Sequence, residues 1–168
     1  MWWSDAKPSR RGFLALTGAL ALAGCGFRPV YGEGGTGRVL RNAVSADDPV
    51  TRADFQFIHA LDELLGRPTA PRFALAYTIE TRNQGGGTVD NFGVTRVQIF
   101  GTARFVLTDA ATDAVLAEGQ VGGNTAYSTT GTQLATLTAA EDAELRLMRI
   151  LADALVTRLY TEPGIPAA

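Results

Sequence analysis

Three stretches of the chain alternate between apolar and polar residues, which is the pattern of a β-strand with one buried face. They cover residues 72–82, 94–108 and 114–127. The last two are joined by a short polar segment at 109–113, so they predict a hairpin. We expect residues 83–91 to form a loop, because three consecutive glycines lie at their centre.

Two other stretches carry apolar residues at spacings of three and four, which predicts amphipathic helices. The first is expected to begin at Asp48 as N-cap, followed by Pro49, and to end at Gly66. Its predicted apolar positions are Phe55, Phe57, Ile58, Leu61, Leu64 and Leu65. The second is expected to begin at Thr138, which forms a capping-box pattern with Glu141, and to end before Pro163. Its apolar stripe is Leu145, Met148, Ala152, Leu155 and Leu159.

These elements predict the fold class. With a short strand expected over residues 38–45, the order is strand, helix, three strands, helix. That order indicates an α+β two-layer sandwich, with two amphipathic helices packed on one face of a four-stranded, mostly antiparallel sheet. The inward positions of the middle long strand are Val97, Ile99, Ala103, Phe105 and Leu107. Gly101 falls among them and predicts a bend or bulge. The opposite face, with Arg96, Gln98, Thr102 and Arg104, is left to water or a partner.

Residues 1–24 have the pattern of a secretory leader that is removed. Lys7, Arg10 and Arg11 precede an apolar block from Gly12 to Ala23. The block is shorter than the roughly 20 residues that a membrane-spanning helix needs. The paired arginines also resemble a twin-arginine export signal, so the general and the twin-arginine export routes both remain open.

The leader ends at the only cysteine of the chain. The run Leu22-Ala23-Gly24-Cys25 resembles the lipobox of bacterial lipoproteins. This resemblance implies that the Cys25 thiol is alkylated with diacylglycerol, that the preceding peptide bond is cut, and that the new N-terminus is acylated. Two or more acyl chains give stable membrane attachment, whereas one gives only marginal binding. Gly26 stands where an aspartate usually signals inner-membrane retention, which implies export to the outer membrane.

The rest of the chain has the length of one domain. We expect residues 25–37 to form a lipidated, glycine-rich tether, residues 38–162 a single domain, and residues 163–168 a C-terminal tail. Residues 32–37 match G-x-G-x-x-G in form, but no strand precedes them and no helix is predicted to follow. We therefore interpret this segment as a linker and not as a dinucleotide site.

The net charge of the chain limits the kinds of molecule that it is expected to bind. The whole chain has a formal net charge of −2 at pH 7, and the leader holds the only lysine, Lys7. The part after Cys25 is thus mildly acidic, and all its basic side chains except one histidine are arginines. Such a balance argues against nucleic acid as a partner, since nucleic-acid binding usually needs a basic face.

Few residues are available for catalysis. The sole histidine, His59, lies in the first predicted helix, and no nucleophile motif accompanies it. One histidine and one lipidated cysteine do not supply the ligands of a zinc site. The acidic cluster Asp62-Glu63 fits a solvated helix surface, and the cluster of Glu141, Asp142 and Glu144 fits a helix N-terminus. We expect no metal, no cofactor and no enzymatic activity. If the protein were an enzyme, the alternative would be a small envelope hydrolase.

Three arginines are the candidate ligand-binding residues. Arg82, Arg96 and Arg104 lie on or beside the predicted outward sheet face. A guanidinium group donates paired hydrogen bonds to phosphate or carboxylate, so these residues predict contact with such groups on a lipid headgroup. The alternative is that exposed arginines discourage aggregation of the sheet.

The chain resembles the LptE family of outer-membrane lipopolysaccharide-assembly lipoproteins. Residues 25–32, Cys-Gly-Phe-Arg-Pro-Val-Tyr-Gly, are close to the family's Cys-Gly-Phe-x-Pro-Leu-Tyr-Gly start. The predicted element order is similar to the family's two helices on a four-stranded sheet. The ending is also similar, since Tyr127 leads through Gly131 and Ala135 into Thr-Ala-Ala-Glu-Asp-Ala at 138–143 and an amphipathic helix.

The resemblance implies a location, two partners and a role. Such proteins lie on the periplasmic side of the outer membrane, bind and plug the β-barrel translocon LptD, help it assemble, and contact lipopolysaccharide. They are not enzymes. This chain departs in having no lysine after Cys25, so contacts to lipopolysaccharide phosphates would use arginine alone. The alternative function is a generic outer-membrane lipoprotein adaptor in another envelope transport or secretion complex.

Overall fold

Seven elements follow one another along the chain in the computed structural model, which describes residues 30–89 and 93–165. They are α1 (Thr36–Leu40), β1 (Val44–Ala46), α2 (Arg52–Leu65), β2 (Phe73–Val89), β3 (Gly93–Asp109), β4 (Val115–Ser128) and α3 (Gln133–Tyr160). The predicted leader, Cys25 and the start of the family-like octapeptide lie outside the described residues.

The four strands form one sheet in the order β1-β2-β3-β4. β1 pairs in parallel with β2, and α2 makes the crossover between them. β2 with β3 and β3 with β4 are antiparallel. The predicted α+β fold with a four-stranded, mostly antiparallel sheet is confirmed.

The predicted strand over residues 38–45 is correct only at its end. Its first half is the short helix α1, and only Val44–Ala46 pairs as a strand. The adjacent residues Val39 and Leu40 are both buried from α1, whereas successive residues of a half-buried strand alternate between its two faces.

Both long helices begin at a threonine that the sequence pattern did not select. The predicted N-cap Asp48 is wrong: α2 is capped by Thr51, whose side chain accepts from Asp54 N–H at 3.1 Å while Asp54 Oδ2 accepts from Thr51 N–H at 2.9 Å. α3 starts after Thr132, whose side chain accepts from Ala135 N–H at 3.3 Å. Thr138 lies inside α3, so the predicted capping box there is wrong as well.

The predicted glycine-rich loop at 83–91 is mostly strand. β2 continues to Val89, with Gly85 opposite Val97 and Gly86 opposite Arg96. Pairing with β3 outweighs the weak strand preference of glycine, since strand propensity depends strongly on context.

One hydrophobic core lies between the helices and the covered face of the sheet. The predicted inward residues Ile99, Ala103, Phe105 and Leu107 are buried, and Val97 is half-buried. α3 contributes a long buried stripe, including Leu147, Met148, Leu151, Leu155 and Leu159. None of the helices in the described ranges has the length and apolarity to span a bilayer.

Two predicted core residues of α2 are exposed. Phe55 and Leu64 are 66% and 38% exposed, so their assignment to the buried stripe is wrong. The helix buries Phe57, Leu61 and Leu65 at a spacing of four. Phe55 lies two residues before Phe57, on the opposite side of a helix with 3.6 residues per turn.

Gly101 forms no bulge. It pairs regularly with Thr81 and Gly123, and the register shift of β3 falls instead at Leu107/Thr108. A Cβ atom at Gly101 would lie 3.0 Å from side-chain atoms of both Leu147 and Leu151. The glycine therefore allows α3 to approach the sheet closely.

The described end of the predicted tether contacts the end of α3. The hydroxyls of Tyr31 and Tyr160 are hydrogen-bonded at 2.8 Å, and their rings meet edge-on with centroids 5.7 Å apart. The chain thus enters the domain beside the C-terminus of its last helix.

Candidate functional site

The candidate site is the open face of the sheet, which we define as the outward-pointing residues of β2, β3 and β4. Alternation places even-numbered residues of β2 and β3 on this face, because successive side chains of a strand point to opposite sides. On β3 the inward neighbours Ile99, Ala103 and Phe105 are buried, whereas Arg96 and Arg104 are exposed. All three sequence-predicted arginines lie on the open face.

Arg82 lies beside the aromatic residue of this face. It stands directly opposite Phe100 in the β2–β3 ladder, and its guanidinium carbon is 5.5 Å from the centroid of the Phe100 ring. This separation is within the range of a cation–π contact. The pair presents a flat, positively charged platform to solvent.

Arg104 is already paired. Its Nη1 atom donates to Glu80 Oε1 at 2.7 Å, and both side chains are more than half exposed. Glu80 lies diagonally across the ladder, since its direct partner is Thr102. A ligand phosphate at Arg104 would compete with this carboxylate.

Arg96 lies near the hairpin end of the face. Its backbone is opposite Gly86 on β2 and Ser128 on β4, two small neighbours that leave its side chain exposed. Within the described residues Arg96 forms no ion pair.

The structure brings the three arginines onto one face but not to one point. Arg96, Phe100 and Arg104 are separated by four residues each, which is about 13 Å per interval along a strand. Arg82 lies at the middle position beside Phe100. One phosphate cannot touch all three, so the row suits an extended ligand with several anionic groups or a macromolecular surface.

A shallow depression surrounds Arg104. It is lined on the open face by Ala76, Thr78, Arg104, Val106 and Glu118. The alanine and valine form an apolar floor, while Arg104 and Glu118 provide opposite charges. This mixture of charges does not form a dedicated anion pocket.

Phe100 and Glu80 are the neighbours that determine what the arginines can do, and sequence reasoning did not include either in the site. The signal for Phe100 was present, because it has the same parity as Arg96 and Arg104 on β3. The Glu80–Arg104 pair depends on the register between β2 and β3. Register follows from the tertiary pairing of strands and is not visible in either strand alone.

The remaining sequence candidates are dispersed over helix surfaces. His59 is exposed on α2, with Nδ1 3.4 Å from Glu63 Oε1. Asp62 pairs with Arg67, Glu141 with Arg52 and Asp142 with Arg146. Within residues 30–89 and 93–165, no group of three or more histidine, cysteine, aspartate or glutamate side chains is arranged to hold a metal ion.

Comparisons with solved structures show where this architecture recurs. The chain is similar to a candidate lipoprotein from Caulobacter crescentus CB15, with a TM-score of 0.64, 18% identity, and coverage of 77% of this chain and 96% of that one. It is also similar to rare lipoprotein B from Shewanella oneidensis, with a TM-score of 0.52, 12% identity, and coverage of 70% and 91%. A minor lipoprotein from Acinetobacter baumannii gives a TM-score of 0.54, 13% identity, and coverage of 75% and 93%.

Sequence comparison adds no relative to these. No protein-family model matches the chain, and no curated protein matches it. At identities of 12% to 18%, the structural likeness establishes a shared fold, which is the fold of solved lipoproteins from three bacteria.

Proposed function

We propose that this protein is a non-enzymatic outer-membrane lipoprotein, anchored through Cys25 on the periplasmic side, that binds an LptD-type β-barrel and assists lipopolysaccharide assembly. The observation that carries the proposal is the fold, which is shared with proteins described as lipoproteins and follows a lipobox in the sequence. The family-like octapeptide that starts at Cys25 supports the narrower assignment.

The open face supports a binding role. It combines three exposed or partly exposed arginines with the Phe100 ring on a rigid sheet, whose opposite side is fixed by the core. Arginine and aromatic side chains are enriched where proteins bind partners. In this proposal the Arg82–Phe100 platform and Arg96 contact the barrel wall or lipopolysaccharide phosphates.

Capture of the partner from membranes tests the proposal. The affinity-tagged lipidated protein, solubilised from outer membranes, is expected to recover a large β-barrel protein, and its depletion is expected to reduce surface lipopolysaccharide. Recovery of the protein alone, with normal lipopolysaccharide export after depletion, would refute the proposal. Recovery of a different envelope complex would support the adaptor alternative and reject the LptD assignment.

The anchor is tested separately by Cys25→Ala. We expect the precursor to stay uncut and to be absent from the outer membrane, because without a thiol there is no site for diacylglycerol. Fractionation and mass spectrometry of the N-terminus measure both effects. A Cys25→Ala variant that still reached the outer membrane in cut form would contradict the lipobox interpretation.

The arginines are tested by Arg96→Ala/Arg104→Ala. Binding of purified lipopolysaccharide is expected to weaken while thermal stability stays unchanged, since both side chains are exposed. The matched control is Arg67→Ala/Arg149→Ala, which removes two exposed arginines away from the open face. Equal binding by both double variants would eliminate Arg96 and Arg104 as contacts for lipopolysaccharide.

A further inference from the structure

Within residues 30–89 and 93–165, no strand pairs with the outer edge of β2 along most of its length. β1 pairs only with residues 73–75 of β2, whereas β2 runs on to Val89. The N–H of Phe73 and the C=O of Leu75 are directed to the β1 side, where they bond Ala43 and Asp47. Alternate residues of a strand share an edge, so the backbone groups of Tyr77, Ile79, Thr81 and Asn83 point to the same side. Among the described residues no strand covers them; we name residues 77–83 the β2 edge.

The β2 edge lacks a bulge and a proline, two devices that commonly protect a sheet edge, and its two charged residues, Glu80 and Arg82, belong to the open face. Its pairing with β3 is regular from Phe73 to Gly86, so no bulge twists it away, and it contains neither proline nor lysine. A long, regular free edge is a template for an added strand.

The opposite edge of the sheet differs. On β4 the C=O of Ala126 accepts from Arg146 Nη2 at 3.4 Å. The turn after α3 covers the other end, since a Cβ at Gly164 would lie 2.2 Å from the Leu116 carbonyl oxygen. Side chain and tail thus shield the β4 edge at both ends.

A negatively charged groove runs beside the β2 edge. It is lined by Asp47, Asp48, Val50, Thr51, Ala53 and Asp54 on one side and by residues 77–79 and 81 on the other. Asp47 and Asp48 are exposed and form no ion pair within the described part of the chain. Burial and then the three carboxylates of the groove raise the pKa of Tyr77 to about 12.

We propose that the β2 edge accepts an extended polypeptide segment with arginine or lysine side chains at alternate positions, bound as a fifth strand. Backbone groups of Tyr77, Ile79 and Thr81 would hold the segment, and Asp47 and Asp48 would attract its basic side chains. Charge complementarity selects this occupant over a second copy of the chain. In an antiparallel pairing of two β2 edges about Thr81, Asn83 and Gly85 would face the groove, and neither is basic. The proposal goes beyond the proposed function, because it holds whichever envelope protein supplies the segment.

A pair of labelled peptides tests the proposal on the purified protein. One is a nine-residue peptide of alternating arginine and valine, and the other replaces each arginine by glutamate. We expect the arginine peptide to bind, as measured by fluorescence anisotropy, and to slow amide hydrogen exchange at Tyr77, Ile79 and Thr81. Equal binding of the two peptides, or protection on β4 instead, would overturn the proposal.

Three variants separate strand addition from general electrostatic attraction. Thr81→Pro removes an edge N–H that β3 does not use and is expected to abolish binding; Asn124→Pro does the same on the β4 edge and is expected to leave binding intact. Asp47→Asn/Asp48→Asn leaves the backbone of the β2 edge unchanged and is expected to weaken binding of the arginine peptide several-fold. This variant still tests the proposal if Thr81→Pro does not fold. Unchanged affinity in Asp47→Asn/Asp48→Asn, or a peptide-free dimer that protects the same amides, would refute the proposal.

Discussion

The two faces of the sheet place the same residue type in opposite environments. Phe105 on the covered face is 2% exposed and belongs to the core, whereas Phe100, five residues earlier on β3, is half-buried on the open face beside Arg82. The covered face is closed by α2 and α3; the open face has no covering layer among the described residues. The comparison indicates that stability resides on one side of the sheet, which leaves the other side free for recognition.

The two phenylalanines provide the strongest test of this division. Phe105→Ala is expected to lower the free energy of unfolding by about 3–5 kcal/mol, because it removes a buried ring and leaves a cavity. Phe100→Ala is expected to cost about 1 kcal/mol or less, since its ring is only half-buried and lies on the open face. Urea unfolding followed by circular dichroism measures both. Similar losses in the two variants would show that the open face is also part of the stabilising core.

Substitutions of two glycines by valine compare how well the covered and the open face accept a larger side chain. Gly101→Val is expected to cost about 1–3 kcal/mol, because Leu147 and Leu151 leave no room for new methyl groups. Gly122→Val is the matched control on the neighbouring strand; its Cβ would lie 3.6 Å from the Gly101 carbonyl oxygen, an ordinary contact. We expect its effect to stay within about 0.5 kcal/mol. A Gly101→Val protein as stable as wild type would mean that α3 can move away from the sheet without cost.

The covered face was the more predictable of the two from sequence. Strict alternation identified Ile99, Phe105 and Leu107 as core, because burial on one face leaves a period of two in the sequence. The α3 stripe was equally visible through Met148 and Leu155. Residues of the open face are not required to be apolar. Alternation therefore assigned Arg96 and Arg104 to this face but did not show that Arg104 forms an ion pair with Glu80.

Local boundaries were less predictable, for different physical reasons. The glycines at 85–87 signal a turn, but long-range pairing with β3 makes them strand. Val39 and Leu40 resemble strand residues, but they are buried from a single helical turn. The cap of α2 was visible in the sequence, because Thr51 and Asp54 have the spacing of a capping box, but the Asp48-Pro49 pair was chosen instead.

The start of α2 offers a smaller test on the covered side. Thr51→Ala is expected to cost about 1 kcal/mol, because Asp54 N–H loses its side-chain acceptor at the helix N-terminus. Asp48→Ala, at the position that sequence reasoning favoured, is the control and is expected to stay within about 0.5 kcal/mol. Thermal unfolding of both variants ranks them. A larger loss in Asp48→Ala would place the cap at Asp48 after all.

The last comparison is a pH dependence from Tyr77, which appears only in alkaline solution; the ring of this residue lies on the covered side, 5.1 Å from that of Phe57. Burial first, and then Asp54, Asp47 and Asp48, raise its pKa from 10.0 to about 12. In the unfolded chain the phenol loses its proton near pH 10, while the folded protein still holds it. The free energy of unfolding is therefore expected to fall between pH about 10 and about 12 and to be unaffected by this group below that range.

Tyr77→Phe isolates this contribution, because it keeps the ring and removes the titrating hydroxyl. Burial and a hydrogen bond to Tyr31 also raise the pKa of Tyr160, but that residue titrates alike in both proteins. Urea unfolding over the alkaline range is expected to show a shallower decline in Tyr77→Phe than in wild type. If the free energy of unfolding declined with the same slope in both proteins, the Tyr77 hydroxyl would be as well solvated as a residue of the open face. The covered face would then not protect the part of β2 that carries Tyr77.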